Sequence, residues 1–134
     1  MTLHVTLVVP EGEIWAGNAD LVIAKTLDGD IGLLTGHTPV LGILAAGSVV
    51  RIQPDRSGAD GWVTAAVAGG FLSVADDKVS ILARRAVLGG DVDPRAARAE
   101  LDEAIAAATA GGEGDDSAEV RYQRAKLLAA GHEA

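Results

Sequence analysis

A chain of 134 residues with 11 basic and 19 acidic side chains carries a formal charge of −8, which repels the phosphate backbone of nucleic acid and the surface of anionic lipid. That length suffices for one core with an attachment, hardly for two independent cores. The absence of cysteine excludes disulfides, thiolate nucleophiles and cysteine-type zinc sites, and two Trp, one Tyr and one Phe are too few for a base-stacking surface.

The N-terminus, Met1-Thr-Leu-His-Val-Thr-Leu, has neither the basic flank nor the apolar core of a secretory signal, so a cytoplasmic protein is expected. Leu3, Val5, Leu7 and Val9 alternate with His4, Thr6 and Val8 before Pro10-Glu-Gly stops the run, which predicts a strand. Leu21 and Ile23 alternate with Asp20, Val22 and Ala24 in a second. Asp28-Gly-Asp-Ile-Gly-Leu-Leu-Thr-Gly-His-Thr-Pro-Val-Leu41 then reads as a loop built for close approach, because its glycines permit positive φ and Pro39 biases Thr38 toward an extended shape. The nearly apolar run from Val40 to Val50 is broken by Gly42, Gly47 and Ser48 and falls short of the ~18 residues that cross a bilayer. Val49, Val50 and Ile52 mark a further strand ended by Pro54-Asp-Arg-Ser-Gly. Trp62 to Ala68 and Phe71 to Val74 flank Gly69-Gly70, and Val79 to Arg84 follows the turn Asp76-Asp77-Lys78. Short strands at this spacing predict an antiparallel β-sandwich over residues 1–88.

After Gly89-Gly90 the period lengthens, and residues 89–134 are expected to form an antiparallel two-helix hairpin. Asp93 can cap a helix and Pro94 suits its first position, giving a helix over 94–110 with the apolar stripe Ala97, Leu101, Ala104, Ile105 and Ala108. Gly111-Gly112-Glu113-Gly114-Asp115-Asp116 breaks it. Asp116 or Ser117 can cap a second helix over 117–130, with Asp116 and Glu119 at capping-box spacing and Gly131 as the stop. Residues 93–116 hold two basic and seven acidic side chains, residues 117–134 three and two, so the second helix is net positive. Arg121 and Arg124, three apart, share a face, with Lys126 further round. The large aliphatics of the hairpin are few (Leu101, Ile105, Val120, Leu127 and Leu128); helices this short depend on whatever they dock against, which leaves room for more than one docked position.

No catalytic constellation is visible. His4, His37 and His132 fall on a strand, in the loop and at the C-terminus without metal-ligand spacing, and the serines sit in no nucleophile elbow. Gly32-Leu-Leu-Thr-Gly-His lacks the glycine-lysine of a phosphate loop. The paired carboxylates Asp28/Asp30 and Asp76/Asp77 read as turn-formers. On residues alone, a β-sandwich adaptor that docks a partner through Asp28 to Leu41 would account for the chain.

The ordered set is more specific. Asp28-Gly-Asp-Ile-Gly-Leu-Leu-Thr-Gly-His-Thr-Pro-Val-Leu, then Gly47-Ser-Val-Val-Arg-Ile, Val67-Ala-Gly-Gly-Phe-Leu-Ser-Val and Val79-Ser-Ile-Leu-Ala resemble the epsilon subunit of the bacterial F-type ATP synthase over essentially the whole chain. The resemblance implies a non-catalytic central-stalk component, peripheral at the cytoplasmic face of the plasma membrane and without direct membrane insertion. Its sandwich would pack against the gamma subunit and rest on the c-subunit ring, so that ring rotation reaches the catalytic hexamer. Gly29, Asp30 and Ile31 would then face the c ring, and His37 would lie at the gamma and c-ring interface. The C-terminal helices would reach the alpha and beta subunits, with Arg121, Arg124 and Lys126 opposing ATP hydrolysis through acidic segments of beta. Many members bind ATP at the folded hairpin through Ile/Leu-Asp-x-x-Arg-Ala. Here Val92-Asp93-Pro94-Arg95-Ala96-Ala97 sets Arg95 two residues after Asp93 instead of three, leaving a degenerate ATP site at Asp93 and Arg95 and implying no cofactor.

Overall fold

A computed structural model describes residues 2–55, 61–112 and 117–131. Ten strands run in order as β1 (Leu3–Val9), β2 (Gly12–Ala19), β3 (Leu21–Thr26), β4 (Gly29–Leu33), β5 (Val40–Leu44), β6 (Ser48–Gln53), β7 (Val63–Val67), β8 (Gly70–Ala75), β9 (Lys78–Ala83) and β10 (Ala86–Leu88). Their order in the sheet is β10-β7-β6-β3-β5-β8-β9-β1-β2, with β4 paired to β3 off this path. The two halves, β10-β7-β6-β3-β4 and β5-β8-β9-β1-β2, join through a short pairing in which Thr26 faces Leu44, so the sheet folds over itself as a sandwich. The ladders are antiparallel apart from β1 against β9, which run parallel.

Between the halves lies a core in which Leu3, Val5, Leu7, Val22, Leu33, Val50, Ile52, Leu72 and Ile81 are completely buried. Where one face is apolar and the other polar, the period-2 pattern places the side chains as expected. β3 is the exception: the inward residues are Val22 and Ala24, while Leu21 and Ile23 are only half-buried on the other face. Four strands also lie outside the predicted set. β2 carries Gly12, Gly17 and Asn18, β5 is apolar without alternation around Gly42, and β10 is three residues long. β4 occupies part of the expected loop, with Leu33 turned into the core and Asp30 and Gly32 exposed.

A 3-10 turn, Gly89–Asp91, leads into α1 (Pro94–Ala110), whose N-cap Asp93 accepts a hydrogen bond from the Arg95 N–H. The second helix, α2 (Ala118–Ala129), is capped by Ser117, whose hydroxyl accepts from the Val120 N–H at 3.1 Å. Asp116, the alternative cap, lies outside the described residues, as does His132, and Glu119 turns toward Gln123 and Arg85 instead. Gly131, with φ of +86°, ends the helix and donates to the Leu128 carbonyl.

α2 is the middle layer of the molecule. One side of it, Val120 and Leu127, meets Ala97, Leu101 and Ala108 of α1. The opposite side, Tyr122, Ala125 and Ala129, packs on Ala66 of β7, with Val49, Ala68 and Val87 at the margin. Leu128, counted among the anchoring aliphatics from sequence, is 55% exposed; it falls between the two packed sides. The backbone approach is close at Gly47, where a Cβ would stand 2.3 Å from the Arg121 carbonyl carbon. Thr64 reinforces the contact by donating its hydroxyl proton to the Ala129 carbonyl, which otherwise has no partner within a finished helix.

Candidate functional site

The segment from Asp28 to Leu41 divides into two exposed turns separated by β4. At one end the Thr26 hydroxyl accepts from the Asp28 N–H at 3.2 Å and donates to the Gly29 carbonyl at 2.8 Å, shaping the β3–β4 hairpin. Leu27 projects from its tip, 68% exposed. Next in line, Gly29 and Asp30 are exposed and Asp30 stands opposite Lys25, while Ile31 is half-buried against the core. Among the described residues β4 pairs with β3 alone, so its other edge offers unpaired backbone groups to a partner.

His37 lies at the far end of β4, and this corrects the expectation of one continuous loop: the inward-facing Leu33 makes the middle a strand. Residues Leu34 to His37 form a turn closed by the His37 N–H on the Leu34 carbonyl at 3.2 Å. Gly36 takes φ of +80° there, as the third position of a type II turn requires. Its N–H donates to the Asp77 carboxylate at 2.6 Å, and the His37 Nδ1 lies 2.6 Å from the Thr38 carbonyl.

A third surface escaped the sequence reading. Across the outer face of β5, β8, β9 and β1 the register sets Ile43 beside Phe71, Phe71 beside Leu82, and Leu82 beside Val8. Ile43, Phe71 and Leu82 are each about half exposed, and Leu41 is 72% exposed. A shallow cavity between Phe71, Leu82, Val9 and Pro10 continues this apolar row. Period 2 carried only the outward direction of Phe71, since Leu72 and Val74 facing inward oblige it to face out.

On the hairpin, Arg121 is exposed and Arg124 half-buried, while Lys126 pairs with Glu100 of α1. Tyr122 sits beneath the Arg85 guanidinium, 4.3 Å from ring centre to charge, with the Lys126 ammonium 5.8 Å away. Arg85 also bridges to Glu119 at 2.8 Å, and Gln123 donates to the same carboxylate at 2.8 Å. The Gln123 hydrogen bond foremost, then Arg85, holds the Glu119 carboxyl below its ordinary range despite partial burial. Burial raises the Tyr122 hydroxyl above its ordinary value.

Asp93 and Arg95 do not converge. Asp93 is occupied as a helix cap and lines an open cavity with Asp91, Val92, Glu100, Tyr122 and Lys126, whereas Arg95 lines a different one with Arg98 and Leu127. Three carboxylates against one ammonium, itself paired to Glu100, repel a nucleotide triphosphate, so the site does not fit ATP. Among the described residues no group of three or more His, Cys, Asp or Glu could hold a metal ion, and no helix is long and apolar enough to cross a membrane.

The family described as ATP synthase, Delta/Epsilon chain, beta-sandwich domain matches residues 2–89. The ATP synthase epsilon chain of Thermobifida fusca is 50% identical over 129 residues, covering 96% of this chain and 91% of that relative. That of Streptomyces coelicolor is 43% identical over 129 residues, covering 96% of each. Among solved structures, a chain of the Euglena gracilis mitochondrial ATP synthase OSCP/F1/c-ring assembly superposes with a TM-score of 0.69 at 23% identity, over 94% of this chain and 75% of that one.

Proposed function

The chain belongs to the ATP synthase epsilon chains, non-catalytic central-stalk subunits of the F-type enzyme, and from that premise we propose that its sandwich couples the c ring to gamma while its hairpin restrains ATP hydrolysis. Gly29, Asp30 and Ile31 meet the polar loops of the c ring, where the free edge of β4 and an exposed carboxylate suit amide and basic partners. His37, on the turn at the opposite end of β4, lies at the gamma and c-ring interface. The apolar row Ile43, Phe71, Leu82 and Val8 packs on gamma, since a patch of this kind on a subunit is best explained by a covering partner. Together these contacts leave the protein peripheral at the cytoplasmic face of the plasma membrane.

The observation that carries the regulatory part is the way α2 is held. Its contact with the sandwich is one buried aromatic, Tyr122, among alanines and an exposed polar clamp, the kind of attachment whose two states differ by a few kcal/mol. Undocked, the hairpin carries Arg121, Arg124 and Lys126 toward acidic segments of beta, and Lys126 is freed only when α2 also parts from Glu100 of α1. Docked, its Ala125 and Leu128 line one groove with Lys25, Asp30 and Arg51, which sets the hairpin beside the c-ring contact. No nucleotide enters this scheme.

Asp30→Lys in the assembled enzyme tests the c-ring contact, with Asp30→Asn as a variant that adds no like charge opposite Lys25. The substitution by lysine is expected to lower proton pumping per ATP hydrolysed, and the asparagine to do so less. Unchanged coupling in both would contradict the assignment.

A further inference from the structure

Among the described residues, the non-glycine positions with positive φ are Asp76 and Asp77, at 51° and 61°. They make the turn between β8 and β9, where a two-residue hairpin needs φ above zero at both central positions and glycine commonly takes the second. A glycine at position 77 would relieve that strain. What it would remove is a carboxylate that leaves its own hairpin: one Asp77 oxygen accepts from the Gly36 N–H, 41 residues away in sequence, at 2.6 Å. The Asp77 main chain is fixed as well, its carbonyl accepting from the His4 N–H of β1 at 2.8 Å. Three separate segments, β1, the β8–β9 turn and the Leu34–His37 turn, are therefore tied at one residue.

Gly36 is the third residue of the turn that presents His37, and the segment between β4 and β5 lies outside the strand ladders on either side. A charge-assisted hydrogen bond of this length is the strong type. We propose that Asp77 is a positioning residue for the docking turn: it fixes Leu34 to His37 before the partner arrives, so that association does not have to order the turn. This rests on the placement of His37 at the gamma and c-ring interface.

The test uses the full chain and the enzyme stripped of its own epsilon chain. Asp77→Gly removes the carboxylate and the strain together, Asp77→Asn keeps an oxygen acceptor, and Asp76→Gly removes strain alone. Asp77→Gly is expected to unfold at or above the parent temperature, yet to speed amide exchange at Gly36 and His37. It should also weaken association with the stripped enzyme about ten-fold, the scale of ordering one residue of backbone. Asp76→Gly should stay close to the parent in exchange and association, and Asp77→Asn, which keeps the acceptor without its charge, should fall between the parent and Asp77→Gly. Unaltered exchange at Gly36 and His37 in Asp77→Gly overturns the proposal, and so does faster exchange with unaltered association. His37→Ala separates the premise: if it leaves association unchanged, the interface assignment fails and the docking role of Asp77 with it, while exchange at Gly36 still reports whether Asp77 holds the turn.

Discussion

Arg85 meets α2 twice, through the Glu119 carboxylate and over the face of Tyr122. Both side chains of the ion pair are about half exposed, 52% and 51%, so the pair adds little in water and the ring contact contributes a similar increment. Arg85→Ala should loosen the docked helix by about 1 kcal/mol, read as roughly five-fold faster amide exchange in α2 with no change in the sandwich. Exchange unchanged in α2 would mean that the clamp contributes nothing. The same carboxylate sets a pH dependence. Because Glu119 titrates lower when folded than its ordinary 4.5, the unfolded state binds more protons, and stability rises with pH through this range. Its contribution is complete at neutral pH and is lost as pH falls below that value; Glu119→Gln should remove this part of the acid sensitivity of α2 exchange. At this scale the sequence was least legible. Asp77 read as a turn-former, which it is, but a bond to a residue 41 positions away leaves no local trace, and the pairing of Arg85 with Tyr122 is equally remote.

Among elements, the contact of α2 with the β5–β6 turn leaves no room for a side chain. Gly47 combines φ of +64° with helix backbone 2.3 Å from where a Cβ would sit. Gly47→Ala therefore incurs about 1–2 kcal/mol for a left-handed alanine, and the clash with Arg121 and Tyr122 backbone has no flexible side chain to yield. The expected outcome is α2 released from the sandwich, seen as loss of amide protection across α2 while Leu72 and Ile81 keep theirs. Retained α2 protection would show that the approach is looser than described. Elements were legible in proportion to how one-sided they are. β1, β8 and β9 bury alternate residues and show it, and the helix caps Asp93 and Ser117 announce both helices. β3 is apolar on both faces, so alternation could not say which side was inside. Gly29 and Gly32 of β4 and Gly12 of β2 stand on exposed positions, and a strand needs no side chain there.

In the whole molecule the sandwich core is built entirely from residues 3–83, with Ala86 and Leu88 at its margin, whereas the helices contribute to two smaller clusters. Under the proposed scheme docking and regulation fall to separate cores, so that the hairpin would change position without opening the sandwich. The architecture of sandwich followed by two helices was readable from the change of period at Gly89-Gly90. The apolar row on the outer face was not, because it becomes a surface only when β5, β8, β9 and β1 are aligned in register. Truncation after Leu88 removes both helices and leaves the whole sandwich core, so it separates the two roles in one step. Measured in the assembled enzyme, ATP hydrolysis should rise while proton pumping remains coupled to it; hydrolysis at the parent rate would contradict a regulatory hairpin, and loss of coupling would contradict docking through the sandwich.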